Sequence, residues 1–396
     1  MPVTALVGAA TAAICVWRDN RGMSDHDIEC ISPAEALKRL REGARLIDVR
    51  ADHEFAVSHA RGARNVHKDR LLADPGGEMD VGTTCLLICQ SGRRSHDAAI
   101  TLQARGFRVM SVEGGTSRWA SEGLPLNEAG DADFRQRYAR HLSLPEVGLA
   151  GQQRLEKARV TLIGAGGLGS PVAFYLAAAG VGHLRLVDDD RVERSNLQRQ
   201  IAHADDRIGQ PKVQSAAQSL SALNPRCRIE PLQARASADN IESLLAGSDV
   251  VVDGADNFPA RYLLNDACVK LGLPLVYGAV HRFEGQAGVF DAGRHRGEAP
   301  CYRCLFPEPP PADAAPNCSE AGVLGVLPGL IGLIQATEAL KLILDIGDGL
   351  TGRLLHVDAM SMRFRETRLH ADPDCPACAP GREFSGYPDY QQLCAG

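Results

Sequence analysis

Aromatic residues are scarce in this 396-residue chain, at 5 %, and no block rich in lysine and arginine stands out. Without stacking platforms or a basic footprint, and with a formal charge of −6, nucleic acid is not an expected partner. A membrane is not expected either. The uncharged run Ala321 to Ile334 contains Pro328 and is followed by Gln335, Glu338 and Lys341, which leaves too short a span to cross a bilayer. It reads as a buried or interface helix of a soluble, cytoplasmic protein. The apolar stretch Ala5 to Trp17 has no lysine or arginine before it and no clear cleavage site after it, so a secretory signal fits poorly. Residues 1–27 are expected to be a disordered extension, with Met23 a candidate initiator. No internal repeat emerges. Twelve cysteines would suggest disulfides in a small secreted protein, but paired spacings in a chain this long point to metal or catalytic use.

At this length, with 44 % hydrophobic residues, two domains with packed cores are expected. Residues 28–123 alternate short helices and strands. Ser32-Pro33-Ala34-Glu35 is a capping box with proline at the first helical position, and Leu46 to Val49, Cys85 to Cys89 and Phe107 to Val112 read as buried strands. Ser95 to Arg105 reads as a helix stopped by Gly106. This predicts a small α/β domain of parallel type. Residues 124–133, bearing glycine, proline and aspartate, read as a linker. A larger domain, 134–380, begins with a helical pattern over Phe134 to Glu156. Strands follow at Val160, Asp249 to Asp253 and Pro274 to Gly278, with helices around Pro211 to Leu223 and Ala260 to Leu271. An apolar helix from Val323 to Leu344 and strand-like segments at Arg353 to Asp358 and Arg363 to His370 complete it. That order predicts an open, mostly parallel, Rossmann-like α/β sheet with helices on both faces. Residues 381–396 read as a C-terminal tail.

The densest signal lies between Val160 and Lys212. A strand runs into Gly164-Ala165-Gly166-Gly167-Leu168-Gly169 and a helix that ends at Gly180, and the next strand ends in Asp188-Asp189-Asp190. Glycines let backbone approach phosphate, the helix amino terminus favours its charge, and a carboxylate at Asp188 can hold ribose hydroxyls. The glycine loop alone suits an NAD-dependent oxidoreductase equally well. Ser195-Asn196-Leu197-Gln198-Arg199 and Lys212 tilt the choice, because these cations have no use in hydride transfer and suit a triphosphate being cleaved.

Two further constellations carry chemistry. In Cys89-Gln90-Ser91-Gly92-Arg93-Arg94-Ser95 a cysteine at a strand end meets backbone N–H groups, a helix amino terminus and two arginines, each of which favours an anionic sulfur. A buried bystander such as Cys85 is the bland alternative. Cys301-Tyr302-Arg303-Cys304 and Cys375-Pro376-Ala377-Cys378 form two CxxC pairs, which suit a closed, structural four-thiolate zinc site; a redox pair is the rival.

The Cys89 loop resembles that of rhodanese-like sulfurtransferases, over about residues 30 to 122, with support from Leu46-Ile47-Asp48-Val49-Arg50, Ser58-His59 and Val112-Glu113-Gly114-Gly115. A cysteine phosphatase is the competing class, but it needs an arginine where this chain has Ser95. Residues from about Arg137 to Cys378 resemble the adenylating enzymes of the ubiquitin-activating superfamily, in particular the molybdopterin-synthase adenylyltransferases and their thiamine-pathway relatives (ThiF/MoeB type). The resemblance implies that Gly164, Gly166, Gly167 and Gly169 line phosphates, that Asp188 holds ribose, and that Ser195 to Arg199 with Lys212 grip the triphosphate of ATP. Asp256-Asn257 would serve Mg2+ and the adenylate. Arg140 matches an arginine supplied by the partner subunit, which implies a homodimer; His141 and His281 depart from the family pattern. Cys318 matches a cysteine that can take part in sulfur transfer, with a bystander thiol the alternative.

The implied reaction adenylates the C-terminal carboxylate of a ubiquitin-like sulfur carrier ending in Gly-Gly. Sulfur then passes from a Cys89 persulfide, loaded by thiosulfate or a cysteine desulfurase, to give a thiocarboxylate. The small subunit of molybdopterin synthase is the first expected carrier; a thiamine-pathway or other carrier, or a non-catalytic sulfur-relay module, are the alternatives.

Overall fold

The computed structural model describes residues 28–80, 82–308 and 322–390. The expected extension over 1–27 and Cys318 lie outside the described residues. The chain divides between Glu128 and Ala129 into two compact units.

In the first unit five strands form a wholly parallel sheet in the order Cys30–Ile31, Val109–Val112, Cys85–Ile88, Arg45–Asp48, Ala63–Asn65. Alternate residues of the central strand feed two cores. Cys85 and Leu87 pack with Ala98, Ala99 and Leu102 of the helix Arg93–Gln103, while Leu86 and Ile88 pack with Trp119 and Val112 on the other face. Burial on both faces is why these strands read as continuous apolar runs. The helix Pro33–Arg41 starts as expected, with Ser32 Oγ accepting from the Glu35 N–H at 3.2 Å.

The stretch 124–133 is not a free linker. Leu126–Glu128 pairs antiparallel with Ser58–Ala60, and the Trp119 indole donates to the Pro125 carbonyl at 2.9 Å. Asp131 then caps the helix Ala132–Arg137 through the Phe134 N–H. Its glycine, proline and aspartate mark a turn and a helix cap, which share residue types with linkers.

The second unit is built on eight strands in the order Arg228–Leu232, His183–Val187, Arg159–Ile163, Val250–Asp253, Leu275–His281, Glu284–Phe290, Arg353–Asp358, Arg363–Arg368. The first five run parallel; the last three join antiparallel. Strand order reverses at Arg159–Ile163, from which the chain first moves outward and then returns to Val250–Asp253. A ligand crevice is expected at such a switch point. The strand Glu284–Phe290 has no counterpart in the sequence reading, because Gly285, Ala287 and Gly288 carry no β signal. Gly285 and Gly278 let the helix Val326–Leu344 lie close on the sheet: a Cβ at either would stand 2.5 Å or 2.4 Å from side chains of Ile331 or Gln335. That helix is long and apolar enough to span a bilayer by length and composition alone. It buries Leu327, Ile331, Ala336 and Ala339 in the main core instead.

Candidate functional site

At the switch point lies a cleft of about 1010 Å³ whose lining includes Gly164, Gly166, Gly167, Asp188, Arg199, Lys212, Asp256 and Asn257. Gly164 (φ 97°) turns the chain out of its strand at a place where a Cβ would stand 2.5 Å from the Gly254 carbonyl, so the two loops that end the switch-point strands touch. Gly169 is outside the cleft. A Cβ there would lie 1.9 Å from the Gly164 carbonyl, so its task is to let helix Gly169–Ala179 pack onto the strand end.

Lys212, at the start of helix Lys212–Leu223, is 6 % exposed and donates from Nζ to Asp190 Oδ2 at 2.7 Å. Asp188 accepts from the Ala165 N–H at 2.7 Å and the Asp190 N–H at 2.8 Å. Burial pushes its carboxyl up, while Lys212 and these two N–H groups pull it down. One ligand oxygen from each of Asp188, Asp189 and Asp190 lies within 4.8 Å of the others, a set that could hold a cation.

Ser195, Asn196, Leu197 and Gln198 do not line the cleft. They shape the short turn that aims Arg199: the Ser195 carbonyl accepts from Arg199 Nη1 at 3.0 Å, Asn196 Oδ1 accepts from the Glu193 N–H, and Gln198 packs on Gly325. Leu197 is half-buried. These residues contact other protein groups, and Arg199 and Lys212 are the members of the expected phosphate set that line the cleft. Asn257 caps helix Phe258–Leu271 through the Ala260 N–H and donates to Asp256, which is exposed at the cleft. Arg140 is exposed and does not line this chain's own cleft.

Three groups that motifs did not single out shape the same site. His203 bridges the Ala165 carbonyl and Ser215 Oγ, each at 3.0 Å. Burial drives its pKa down to about 4, with Lys212 and Arg207 adding to the effect. Asp253 is fully buried and its carboxyl is pushed up to about 6, with Arg261 3.6 Å away pulling it down. Between them they hold the two peptide groups that flank the Ala255 Cα, as Asp253 accepts from the Ala255 N–H and Arg261 donates to the Ala255 carbonyl. Finally, Tyr387 to Tyr390 line the cleft, so part of the expected tail is built into the site.

The four cysteines converge. Cys301 and Cys375 sulfurs are 3.6 Å apart, Cys304 and Cys378 3.4 Å, and Cys301 and Cys304 4.0 Å. Zinc–sulfur bonds of about 2.3 Å in a tetrahedron place sulfurs about 3.8 Å apart, so the set fits zinc. Asn265 and the Asp372 N–H donate to the sulfurs of Cys301 and Cys304, which orients them.

In the first unit Cys89 is 1 % exposed. Its sulfur receives the Ser95 N–H at 3.4 Å and the Ser95 hydroxyl at 3.5 Å. The arginines act at one remove: Arg94 forms a bidentate pair with Glu54, both contacts 2.7 Å, and Arg50 pairs with buried Asp48 while donating to Gln90 Oε1 at 2.9 Å. Arg93 is exposed. Ser95, notable in the sequence only for not being arginine, is the direct donor to the thiol.

Both units match known proteins. Residues 138–377 match the ThiF family and residues 32–122 the rhodanese-like domain. The SAMP-activating enzyme E1 of Haloferax volcanii is 54 % identical over 266 residues, 67 % of this chain and 97 % of that protein. The sulfur carrier protein adenylyltransferase of Thermus thermophilus is 47 % identical over 278 residues, 70 % and 98 % of the two chains. A probable adenylyltransferase/sulfurtransferase MoeZ of Mycobacterium tuberculosis is 45 % identical over 273 residues, 68 % of each. Among solved structures, Escherichia coli MccB shares the fold, with a TM-score of 0.55, 18 % identity and coverage of 66 % of this chain and 78 % of that one. The chain belongs to the ThiF family, and it carries a rhodanese-like domain ahead of its adenylating domain.

Proposed function

We propose that the chain is an ATP-dependent adenylyltransferase and sulfurtransferase that converts the C-terminal carboxylate of a ubiquitin-like sulfur carrier into a thiocarboxylate. The observation that carries this is the union, in one chain, of a cleft bearing Arg199 and Lys212 beside a glycine loop with a thiol loop built around Cys89. The names of the Haloferax, Thermus and Mycobacterium relatives support it.

A carrier carboxylate oxygen attacks the α-phosphorus of ATP and pyrophosphate leaves. Arg199 and Lys212 offset the charge that grows on the departing group, and Arg140 of a second copy would add to them in a homodimer. Asp256 would hold Mg2+, which neutralises phosphate charge when bound, and Asp188 would hold the ribose hydroxyls. Cys301, Cys304, Cys375 and Cys378 would hold a structural Zn2+ that takes no part in the chemistry.

The terminal sulfur of a Cys89 persulfide, formed from thiosulfate or by a cysteine desulfurase, attacks the acyl-adenylate. AMP leaves and an acyl disulfide remains. A second thiol, which we assign to Cys318, attacks Cys89 Sγ and releases the thiocarboxylate; the resulting Cys89–Cys318 disulfide is then reduced by an external thiol. The molybdopterin synthase small subunit is the first carrier to test, then thiamine-pathway carriers, and the cytoplasm is the expected site of action.

The test incubates the protein with ATP, magnesium, thiosulfate, a reductant and candidate carriers, then weighs each carrier intact. Exchange of one oxygen for one sulfur on a single carrier is the expected result. ATP–pyrophosphate exchange without that mass change would leave adenylation standing and remove the sulfur step.

A further inference from the structure

The segment Arg382–Tyr390 lies past residue 377, where the family match ends, and yet it forms one wall of the nucleotide cleft. Tyr387, Pro388, Asp389 and Tyr390 all line it. The cleft has two ends of different character. At one, Gly167 lies against Pro328 and Arg199, since a Cβ on Gly167 would be 3.1 Å and 3.6 Å from them; Arg199 and the glycine loop make this the end for phosphate. Elsewhere in the lining, Leu263 and Tyr390 share one apolar cluster, with Ala234, Ala236 and Tyr387 packed against it. An apolar, aromatic-edged end suits a heterocyclic base.

The segment is held by specific contacts. Tyr390 is buried, and its hydroxyl donates to Asp266 Oδ2 at 2.6 Å. Asp266 is at the same time gripped by both arms of the Arg303 fork, each at 2.9 Å, and Arg303 sits inside the Cys301–Cys304 knuckle. The Phe384 and Tyr387 rings meet edge to face with centroids 4.8 Å apart, and the Lys270 ammonium lies 4.6 Å from the first ring and 5.5 Å from the second. Asp266 and Lys270 belong to helix Phe258–Leu271, whose amino-terminal end carries the cleft residues Asn257 and Arg261. One helix therefore ties the metal knuckle, the C-terminal segment and the nucleotide loop together.

We infer that Arg382–Tyr390 closes the base end of the ATP site, with Tyr387 contacting the nucleoside and Tyr390 as the positioning residue that holds the segment against Asp266. This rests on the reading of the cleft as an ATP site. The Tyr387 ring brings no charge to the departing pyrophosphate, so its effect falls on nucleotide affinity and base preference.

The test measures carrier-dependent ATP–pyrophosphate exchange in the full chain, its Tyr387→Ala variant and its Tyr390→Phe variant, with zinc content and thiosulfate sulfurtransfer recorded as checks on folding. Loss of an aromatic contact predicts a rise in KM for ATP of about three- to tenfold in Tyr387→Ala, a smaller rise in Tyr390→Phe, and a narrower preference for ATP over GTP in both. In the unaltered protein, amide hydrogen exchange over 382–390 should slow when ATP is added without carrier. Unchanged KM values in well-folded variants, or unchanged amide exchange with saturating ATP, overturn the inference. Absence of pyrophosphate exchange in the unaltered protein overturns the ATP reading itself, which separates the two failures.

Discussion

His203 fixes the shape of the glycine loop through its protonation state. The Ala165 carbonyl can only accept, so Nε2 carries the proton, and Nδ1 then accepts from the Ser215 hydroxyl. The ring is 7 % exposed and its pKa falls from 6.5 to about 4. As pH drops below the ordinary value the unfolded chain takes up a proton that the folded chain refuses. Stability from this group is therefore complete above about pH 6.5 and is lost progressively down to about pH 4, by about 3 kcal/mol in all. Urea unfolding of the protein and of its His203→Gln variant, compared between pH 4.5 and 7, isolates the contribution. The difference between their midpoints should shrink as pH falls, and a constant difference would show that His203 titrates normally. Sequence alone could not reveal this residue, because a lone histidine outside any motif is ordinarily a packed or solvated ring. The same holds for Ser95, whose importance depends on where helix Arg93–Gln103 begins relative to the Cys89 sulfur. Cys89, Arg199 and Lys212 are candidates by side-chain type alone and could be named from the sequence; residues whose part depends on where a neighbouring group lies, as His203 and Ser95 do, could not.

The glycine loop shows how a motif mixes two physical demands. Gly166 borders the cleft, and a Cβ there would find only Gln200 Nε2 at 3.5 Å, an ordinary contact. Gly169 has no such room, with the Gly164 carbonyl 1.9 Å from the Cβ position. Gly169→Ala should thus destabilise the second unit by about 2 kcal/mol, because helix Gly169–Ala179 must move off the strand end. Gly166→Ala should unfold like the parent protein and yet bind ATP more weakly, because the added methyl occupies the phosphate surface. Thermal unfolding and calorimetric titration of both variants check the pair; equal stability losses would mean that both glycines serve packing. Elements with strong periodicity or a known cap were legible in advance, as with Pro33–Arg41 and the buried strand Val250–Asp253. The strand Glu284–Phe290 was not, since its conformation is imposed by its neighbours and by the helix that presses on Gly285. Residues 382–390 are illegible in the sequence for a related reason: a glycine- and proline-bearing stretch carries no periodic signal, and its place in the fold rests on contacts with distant residues, Tyr390 with Asp266 and Lys270 with Phe384 and Tyr387.

The two units have separate cores and separate chemistry, and a molecule organised in this way should lose its two half-reactions independently. In the first unit, Cys89 lies in a loop fixed by Ser95, Gln90 and Arg50, none of which belongs to the second. The second unit holds Lys212 through Asp190, and its glycine loop through Asp188 and His203, all within its own sheet. Cys89→Ala should consequently abolish thiosulfate sulfurtransfer and thiocarboxylate formation while carrier-dependent ATP–pyrophosphate exchange continues at the parent rate. Lys212→Ala should instead slow carrier-dependent ATP–pyrophosphate exchange and spare thiosulfate sulfurtransfer. If Lys212 offsets triphosphate charge as proposed, removing this buried cation costs about 3 kcal/mol of transition-state stabilisation, roughly a hundredfold in exchange rate, with thiosulfate sulfurtransfer untouched. Both variants should fail to make thiocarboxylate, for different reasons that the carrier itself reports: with Cys89→Ala it accumulates as the adenylate, and with Lys212→Ala it stays unmodified. Intact-mass measurement of the carrier after a single incubation distinguishes these states. Thiocarboxylate formed by Cys89→Ala at the parent rate would show that sulfur reaches the adenylate without passing through the rhodanese-like domain.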